Sequence, residues 1–286
     1  MLYIRIAGGL GNQMFQYAFA KAYSIKHQTP VYLDHSLFSK DKLQESITSR
    51  SFKLNYFPIS LKYTNDIPFW ALQGNSRFTR KLHDLLFSPF IIKDKELGFD
   101  SNIFSTKFSN VTFDGYFQSS KYFDQYRDII LKDFSFPLNN SETFQKLKGK
   151  ILELNSSSLH VRRGDYLSPN VINILAPLPI EYYQKAIGLI KNTTYIVFSD
   201  DIKWCKENFV GDNFIFIERH SDLTDIDELH LMSLCNNNII ANSSFSWWGA
   251  WLNQHSDKIV TVPKKWFVED SKNANWDIAP KSWHLL

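Results

Sequence analysis

Cysteine is scarce in this chain. Only Cys205 and Cys235 occur in 286 residues, far apart and inside apolar stretches with helical spacing. There is no C-x-x-C pair and no His/Cys spacing that suits zinc, so neither a disulfide scaffold nor a zinc module organises the fold. Two reduced core thiols are the expectation, and they fit a reducing compartment. Charge of one sign is lacking as well: 32 basic and 29 acidic residues leave a net charge of +3. No basic stripe is present, which excludes a duplex-binding face and a nucleic-acid partner. Any anion recognition must therefore be local. No apolar run reaches the ~20 residues of a membrane-spanning helix. The opening "MLYIRIAGGLGN" has no charged-then-apolar leader. Together these absences predict a cytoplasmic protein. There is no G-x-S-x-G elbow for a serine hydrolase and no solenoid repeat.

What is present is enough apolar material for a large core: 44% hydrophobic residues, 16% of all residues being aromatic. The length allows two domains. "MLYIRI" reads as a buried strand and "AGGLGN" as a glycine turn. "QMFQYAFAKAYSIKH" has helical spacing, with Met14, Ala18, Ala22 and Ile25 on one stripe, and "VYLD" (31–34) is a second strand. This is a βαβ opening, which implies a parallel sheet. Residues 35–110 show little clean periodicity. The stretch 69–99 is read as an irregular helical insertion on the first domain, with an acceptor cleft or a membrane-facing surface as alternatives. Residues 110–123 read as strand, glycine turn and helix start, and helical spacing continues to about Pro137.

Residues 139–157 are polar and are expected to cross between domains. Beyond them strands and helices alternate: strands at 158–161, 194–199, 213–218, 238–242 and 258–263, helices at 180–192, 201–209, 225–236 and 247–255. That alternation fits a doubly wound parallel sheet. The predicted class is α/β, with an N-terminal domain over 1–145 and a C-terminal, Rossmann-like domain over 146–286. Ligands of such sheets bind outside the strand C-terminal edges.

Four segments could carry chemistry. "GGLGNQ" (8–13) joins a strand to a helix, where small residues and free N–H groups suit an anion. It matches neither the dinucleotide fingerprint, because Met14 takes the third glycine position, nor a P-loop. A plain tight turn is the competing reading, although Asn12 and Gln13 add polar groups beyond what a cap needs. In "LHVRRGDYL" (159–167), His160, Arg162 and Arg163 leave a strand at its ligand edge. Alternation puts His160 and Arg162 on one face and Arg163 on the other. A guanidinium pair suits a phosphate, one arginine taking the ligand and the other bracing the loop, with Asp165 as a brace partner. An interdomain salt bridge is the alternative. In "VFSDD" (197–201), Asp200 either accepts from a guanine base or caps the next helix. Asp201 is the better-placed cap if that helix starts at Ile202. "ANSSFSWWGAWLN" (241–253) offers hydroxyls and N–H groups at a helix start, while Trp247, Ala250 and Trp251 share a core face and Gly249 permits close packing. Asp225 and Asp227 match D-x-D, but they precede an apolar helix and read as first-turn acids rather than metal ligands.

Taken together, "GGLGNQMFQYA", "GYFQSSKYF", "HVRRGDY", "VFSDD" and "NSSFSWWGAWLN" resemble the bacterial α-1,2-fucosyltransferases of glycosyltransferase family 11, in order and spacing from residue 1 to about 267. The resemblance implies a GT-B fold, two Rossmann-like domains facing a central cleft. It implies inverting transfer of fucose from GDP-β-L-fucose to the 2-hydroxyl of a terminal galactose in a glycan, with no metal and no cofactor beyond the donor. Contact with the inner face of the membrane would come through a lipid-linked acceptor. Carried over position by position, Arg162 contacts the β-phosphate. His160 and Asp200 meet the nucleoside, Asp200 reading guanine. Ser243, Ser244, Phe245 and Ser246 form the turn that offers N–H and hydroxyl groups to the phosphates, with Arg163 beside them. Gly11 and Asn12 approach the donor from the N-terminal domain. The α-1,6 relatives place a glutamate base a few residues past the motif aspartate. The same count lands on Asn170 here, so Asp165 is the candidate base, the alternative being that it only pins Arg163.

Overall fold

A computed structural model describes residues 1–38, 51–64, 68, 82, 86–94, 98–218, 220–273 and 277–286. Most of the stretch read as a helical insertion, 69–81, 83–85 and 95–97, lies outside the described residues. The chain divides into two compact units. The first is Met1–Ser135, joined by Asp277 and Ile278; the second begins at Phe136 and includes Ala279–Leu286. Asp277 is tied to the first unit by Lys121 at 2.5 Å and by the N–H of Phe99.

The first unit carries an all-parallel sheet of β1 (Leu2–Arg5), β2 (Val31–Asp34), β3 (Tyr63–Thr64), β4 (Ile91–Lys93) and β5 (Val111–Asp114), in the order β3-β2-β1-β5-β4. Strands β3 and β4 come from the region read as irregular. They are two and three residues long, too short for alternation to register, and β3 is an edge strand. Helix α1 (Leu10–His27) follows β1. Its predicted stripe is only part of what it buries. Met14, Ala18 and Ala22 are buried, but so are Phe15, Tyr17, Phe19 and Tyr23, while Ile25 is half-exposed. Phe19 stacks on Phe117 at 3.9 Å and meets Phe113 and Tyr122 edge-on. The helix is thus held on most of its circumference by aromatic contacts. The described residues of this unit also include the short helices α2 (Ser101–Ser105) and α3 (Arg127–Asp133).

The second unit opens with α4 (Glu142–Glu153), a single helix capped by Ser141. This is the stretch expected as a polar crossing. Its strands are β6 (Ser156–Val161), β7 (Thr194–Ser199), β8 (Phe214–Phe216), β9 (Asn237–Ile239), β10 (Val260–Val262) and β11 (His284–Leu285). They pair in parallel in the order β11-β10-β9-β6-β7-β8. Numbered from β6, this is 3-2-1-4-5-6 read from β8, the dinucleotide-binding strand order, and its switch point lies between β6 and β9. Helices α5 (Ile180–Leu189), α6 (Ile202–Asn208), α7 (Asp225–Leu234), α8 (Ser244–Leu252) and α9 (Asp270–Asn273) follow in chain order.

Two apolar clusters cover the two sheet faces. Leu159, Val161 and Val197 pack with Tyr182, Tyr183 and Cys205 on one side. Ile196 and Phe198 pack with Phe144, Leu231, Met232 and Cys235 on the other. Both cysteines are buried free thiols, as expected. Strand β6 begins two residues earlier than its apolar residues suggest, because its serines have buried partners. Ser156 Oγ donates to the Ile151 carbonyl, Ser157 pairs with Thr193, and Ser158 accepts from Asn238. Buried hydroxyls with partners cost little, so a polar strand can be central.

Among the described residues no helix is long and apolar enough to cross a membrane. Trp247, Trp248 and Trp251 are buried, so the core reading of these tryptophans holds. Helices α7 and α8 pack closely at Gly249, where an added Cβ would sit 2.9 Å from Met232 Cβ. Gly249→Val is expected to lower stability by about 2 kcal/mol or more through overpacking, read as a fall in the denaturant midpoint at unchanged slope.

Candidate functional site

The ligand edge of the second sheet is assembled from the loops after β6, β7 and β9. Register pairs His160 with Phe198 and Val161 with Ser199. His160 therefore shares a face with Phe198, and its ring lies 5.9 Å from that of Phe245 in the first turn of α8. One residue beyond β6, Arg162 continues on that face and reaches Asp200, with Nη1 2.9 Å from Oδ2. Arg163 goes to the opposite face. Its Nε lies 3.1 Å from Asp201 Oδ2, and its guanidinium sits 4.3 Å over the Trp204 ring. The predicted alternation of faces holds.

Two pairings differ from expectation. Asp165 pairs with Arg162 at 2.7 Å, where the brace reading puts Arg163. The cause is local: one 3-10 turn starts at Asp165, and the contact spans only three residues. The brace of Arg163 is instead Asp201, which also caps α6 through the N–H of Trp204. Asp201 is thus the cap, as expected, but Asp200 is not left unengaged. Its Oδ1 accepts the N–H of Arg163 at 2.9 Å while Oδ2 faces Arg162. Burial alone would raise the Asp200 carboxyl. Arg162, the N–H groups of Arg163 and Gly164, and His160 outweigh it and hold the carboxyl below its usual range. The loop reaches this carboxylate because residue 164 is glycine, since an added Cβ would lie 2.7 Å from Asp200 Oδ2.

The turn after β9 is already helix: α8 starts at Ser244, so the predicted polar turn is its first turn, with Ser243 at the N-cap. Ser243 makes no side-chain cap bond, and no acidic residue occupies the first turn. Ser246 is buried and donates to the Ser243 carbonyl, whereas Ser244 and Phe245 are half-buried at the edge. A helix start of this kind offers N–H groups and a positive dipole end to an anion.

Tyr166, which no expectation singled out, ties these loops together. Its hydroxyl donates to the Asn242 carbonyl at 2.8 Å, and its ring lies 5.7 Å from the Arg162 guanidinium. Asn242 is itself buried, donating to the carbonyls of Ala176 and Trp266. The tyrosine two residues after an RRG turn was the only available signal, and its partner lies 76 positions away.

Gly11 and Asn12 belong to the first unit, inside the first turn of α1 rather than in the preceding turn. Asn12 Oδ1 accepts from Gln118, which follows β5, at 2.8 Å. Gln16 links the N–H of Ala7 to the Gly115 carbonyl, and Gln13 binds the Gly8 and Ser51 carbonyls and the Lys53 N–H. These polar groups clamp the loops after β1 and β5, the switch point of that sheet. On the same edge Asp94 is pushed up to about 6 by burial and accepts the N–H of Phe117 at 2.7 Å. Of the D-x-D pair, Asp227 closes a capping box with Thr224 at the start of α7, the first-turn role expected.

His160 is deeply buried, and burial with Arg162 nearby pushes its imidazole down to about 3. It is therefore neutral at neutral pH and offers one donor and one acceptor. The folded value lies below the unfolded one of about 6.5, so between the two the unfolded chain binds the proton and stability falls as the pH is lowered. Acidifying from pH 7 to pH 5 should cost about 2 kcal/mol through this residue. His160→Gln is expected to shrink the pH 7 to pH 5 drop in unfolding free energy by that order. His230, pushed down to about 4, acts in both proteins and cancels in the difference.

The model of the family described as "Glycosyl transferase family 11" matches residues 1–285. The O-antigen biosynthesis glycosyltransferase WbnK of Escherichia coli is 35% identical, covering 95% of this chain and 97% of its own. An alpha-1,2-colitosyltransferase of the same species is 33% identical over 98% and 96%. A galactoside alpha-(1,2)-fucosyltransferase 2 of Rattus norvegicus is 29% identical over 50% of this chain and 44% of its own. Among solved structures, the fucosyltransferase NodZ from Bradyrhizobium aligns with a TM-score of 0.47 at 13% identity, over 87% and 91% of the two chains. Matched from end to end by its model and by two bacterial relatives along nearly their full lengths, this chain belongs to glycosyltransferase family 11.

Proposed function

We propose that the protein is an inverting, metal-independent galactoside α-1,2-fucosyltransferase of GT-B type. It moves L-fucose from GDP-β-L-fucose to the 2-hydroxyl of a terminal galactose in a glycan of the O-antigen kind. The observation that carries the reading is Arg162, a guanidinium presented just after β6 at the switch-point edge of the second sheet, where the neighbouring strand β9 leads into α8. A departing GDP needs its growing negative charge met at the phosphate. A fixed guanidinium and a helix N-terminus supply that without a metal.

In this reading the ion pairs to Asp165 and Asp200 use only part of the Arg162 donor set, and further N–H groups face the β-phosphate. Ser243, Ser244 and Ser246 with the Phe245 backbone bound the phosphate site, and neutral His160 meets the nucleoside. Asp200 serves guanine only with an oxygen it shares with Arg162 or the Arg163 N–H, so bracing is its first role. Arg163 supports the loop from the other face. Gly11 and Asn12 are assigned to donor contact from the first unit, and Asp165 to the acceptor proton. The donor is the substrate and no cofactor is invoked. A cytoplasmic site of action, with a lipid-linked acceptor at the inner membrane face, completes the proposal.

A second reading has a specific motive. One full-length relative is named a colitosyltransferase, and colitose is fucose without its 3-hydroxyl. The donor would then be a different GDP sugar at the same site. Incubation with GDP-fucose, GDP-colitose and GDP-mannose, each with galactose-terminated acceptors, decides between them, the linkage being read by NMR. The proposal predicts an α-1,2-fucosylated galactoside; transfer of colitose alone would replace it with the second reading. GDP binding without turnover on any donor would make the chain a nucleotide-sugar-binding protein. Arg162→Ala is expected to lower turnover with the true donor by about a hundredfold or more. A near-native rate would remove Arg162 from the mechanism.

A further inference from the structure

We propose that Asp165 is a releasable counter-ion. It holds Arg162 before the donor arrives, yields it to the diphosphate, and so becomes the group that takes the acceptor proton. This rests on the donor site proposed above and concerns how that site is switched.

The charges motivate it. Around this edge Arg162 and Arg163 are joined in ion pairs to three carboxylates, Asp165, Asp200 and Asp201, so negative charge is already concentrated there. A nucleoside diphosphate brings more. It enters favourably only if a carboxylate gives up its hold on Arg162, since like charges in a partly desolvated site repel strongly. The geometry selects which one yields. Asp201 is engaged with Arg163 on the other face and caps α6. Asp200 is stapled by the N–H of Arg163 and crowded by Gly164, whose added Cβ would lie 2.7 Å away, so it moves only with the loop. The Asp165 contact with Arg162 is local, and both side chains are about a quarter exposed, at 23% and 25%. A contact confined to one short turn can open without moving either strand, whereas Asp200, only 11% exposed, is also held by a backbone N–H.

The cycle then balances. The diphosphate takes the Arg162 donors that faced Asp165, while Asp200 keeps its side of the guanidinium. The acceptor oxygen forms its bond to the sugar C1 as the bond from C1 to the β-phosphate oxygen breaks. That electron pair leaves with GDP, and the acceptor proton passes to the Asp165 carboxylate. When Asp165 later returns the proton to solvent, its charge competes again for Arg162 and favours GDP release.

The competition gives Asp165 a signature that a structural brace lacks. Calorimetric titration of GDP into the wild type, Asp165→Asn and Asp165→Ala, each with its melting curve recorded, should show tighter GDP binding in the variants, by about threefold or more. Turnover with the donor should fall by about a hundredfold or more in the same variants. GDP affinity that is unchanged or weaker in both variants would overturn the inference. A wild type that does not bind GDP would instead overturn the donor-site reading beneath it, which is a separate result.

Discussion

The Asp200 carboxylate is the fixed point of the ligand edge in the second unit. One oxygen takes the Arg163 N–H and the other faces the Arg162 guanidinium, with the Gly164 backbone pressed against it. A carboxylate this enclosed is tolerable only because cationic and N–H partners surround it. It also couples two strand ends, since Arg162 and Arg163 follow β6 while Asp200 follows β7. Remove that coupling and the Arg162 guanidinium loses the partner that joins it to the end of β7. Asp165 meets the same guanidinium from its own loop, and Tyr166 ties that loop to the Asn242 carbonyl.

Packing beneath the edge explains why the arrangement is rigid. His160 sits in the sheet face that carries Phe198 and Phe245, buried and neutral. The tryptophans of α8 fill the core behind Ser244, so the start of that helix is fixed by its own buried side. Asn238 and Asn253 join β6, β9 and the end of α8 through buried hydrogen bonds donated by their side-chain amides. A polar network with its partners in place holds one geometry in a way that apolar packing alone does not.

Much of this was legible in the chain. Strong alternation of strands and helices beyond residue 156 announced the second sheet, and parity along β6 predicted the faces of His160, Arg162 and Arg163. The helix cap at Asp201 followed from residue type and position. What was not legible depended on distance or on short elements. The partner of Asp165 was set by a single 3-10 turn, which has no periodicity to read. The role of Tyr166 depends on a carbonyl 76 residues away. Strands β3 and β4 are too brief to alternate, and α1 buries more than its stripe because aromatic residues meet it from several sides. Polar β6 began earlier than expected because its serine partners come from elsewhere in the chain.

Membership of glycosyltransferase family 11 sets the class of reaction, and the ion-pair geometry narrows how this chain would perform it. A crystal structure of the protein with GDP tests that account most directly, through three distances. The account predicts the β-phosphate within hydrogen-bond reach of Arg162, the Arg162–Asp200 pair retained and the Arg162–Asp165 pair opened. GDP bound with the Arg162–Asp165 pair intact, or bound away from Arg162, would contradict it.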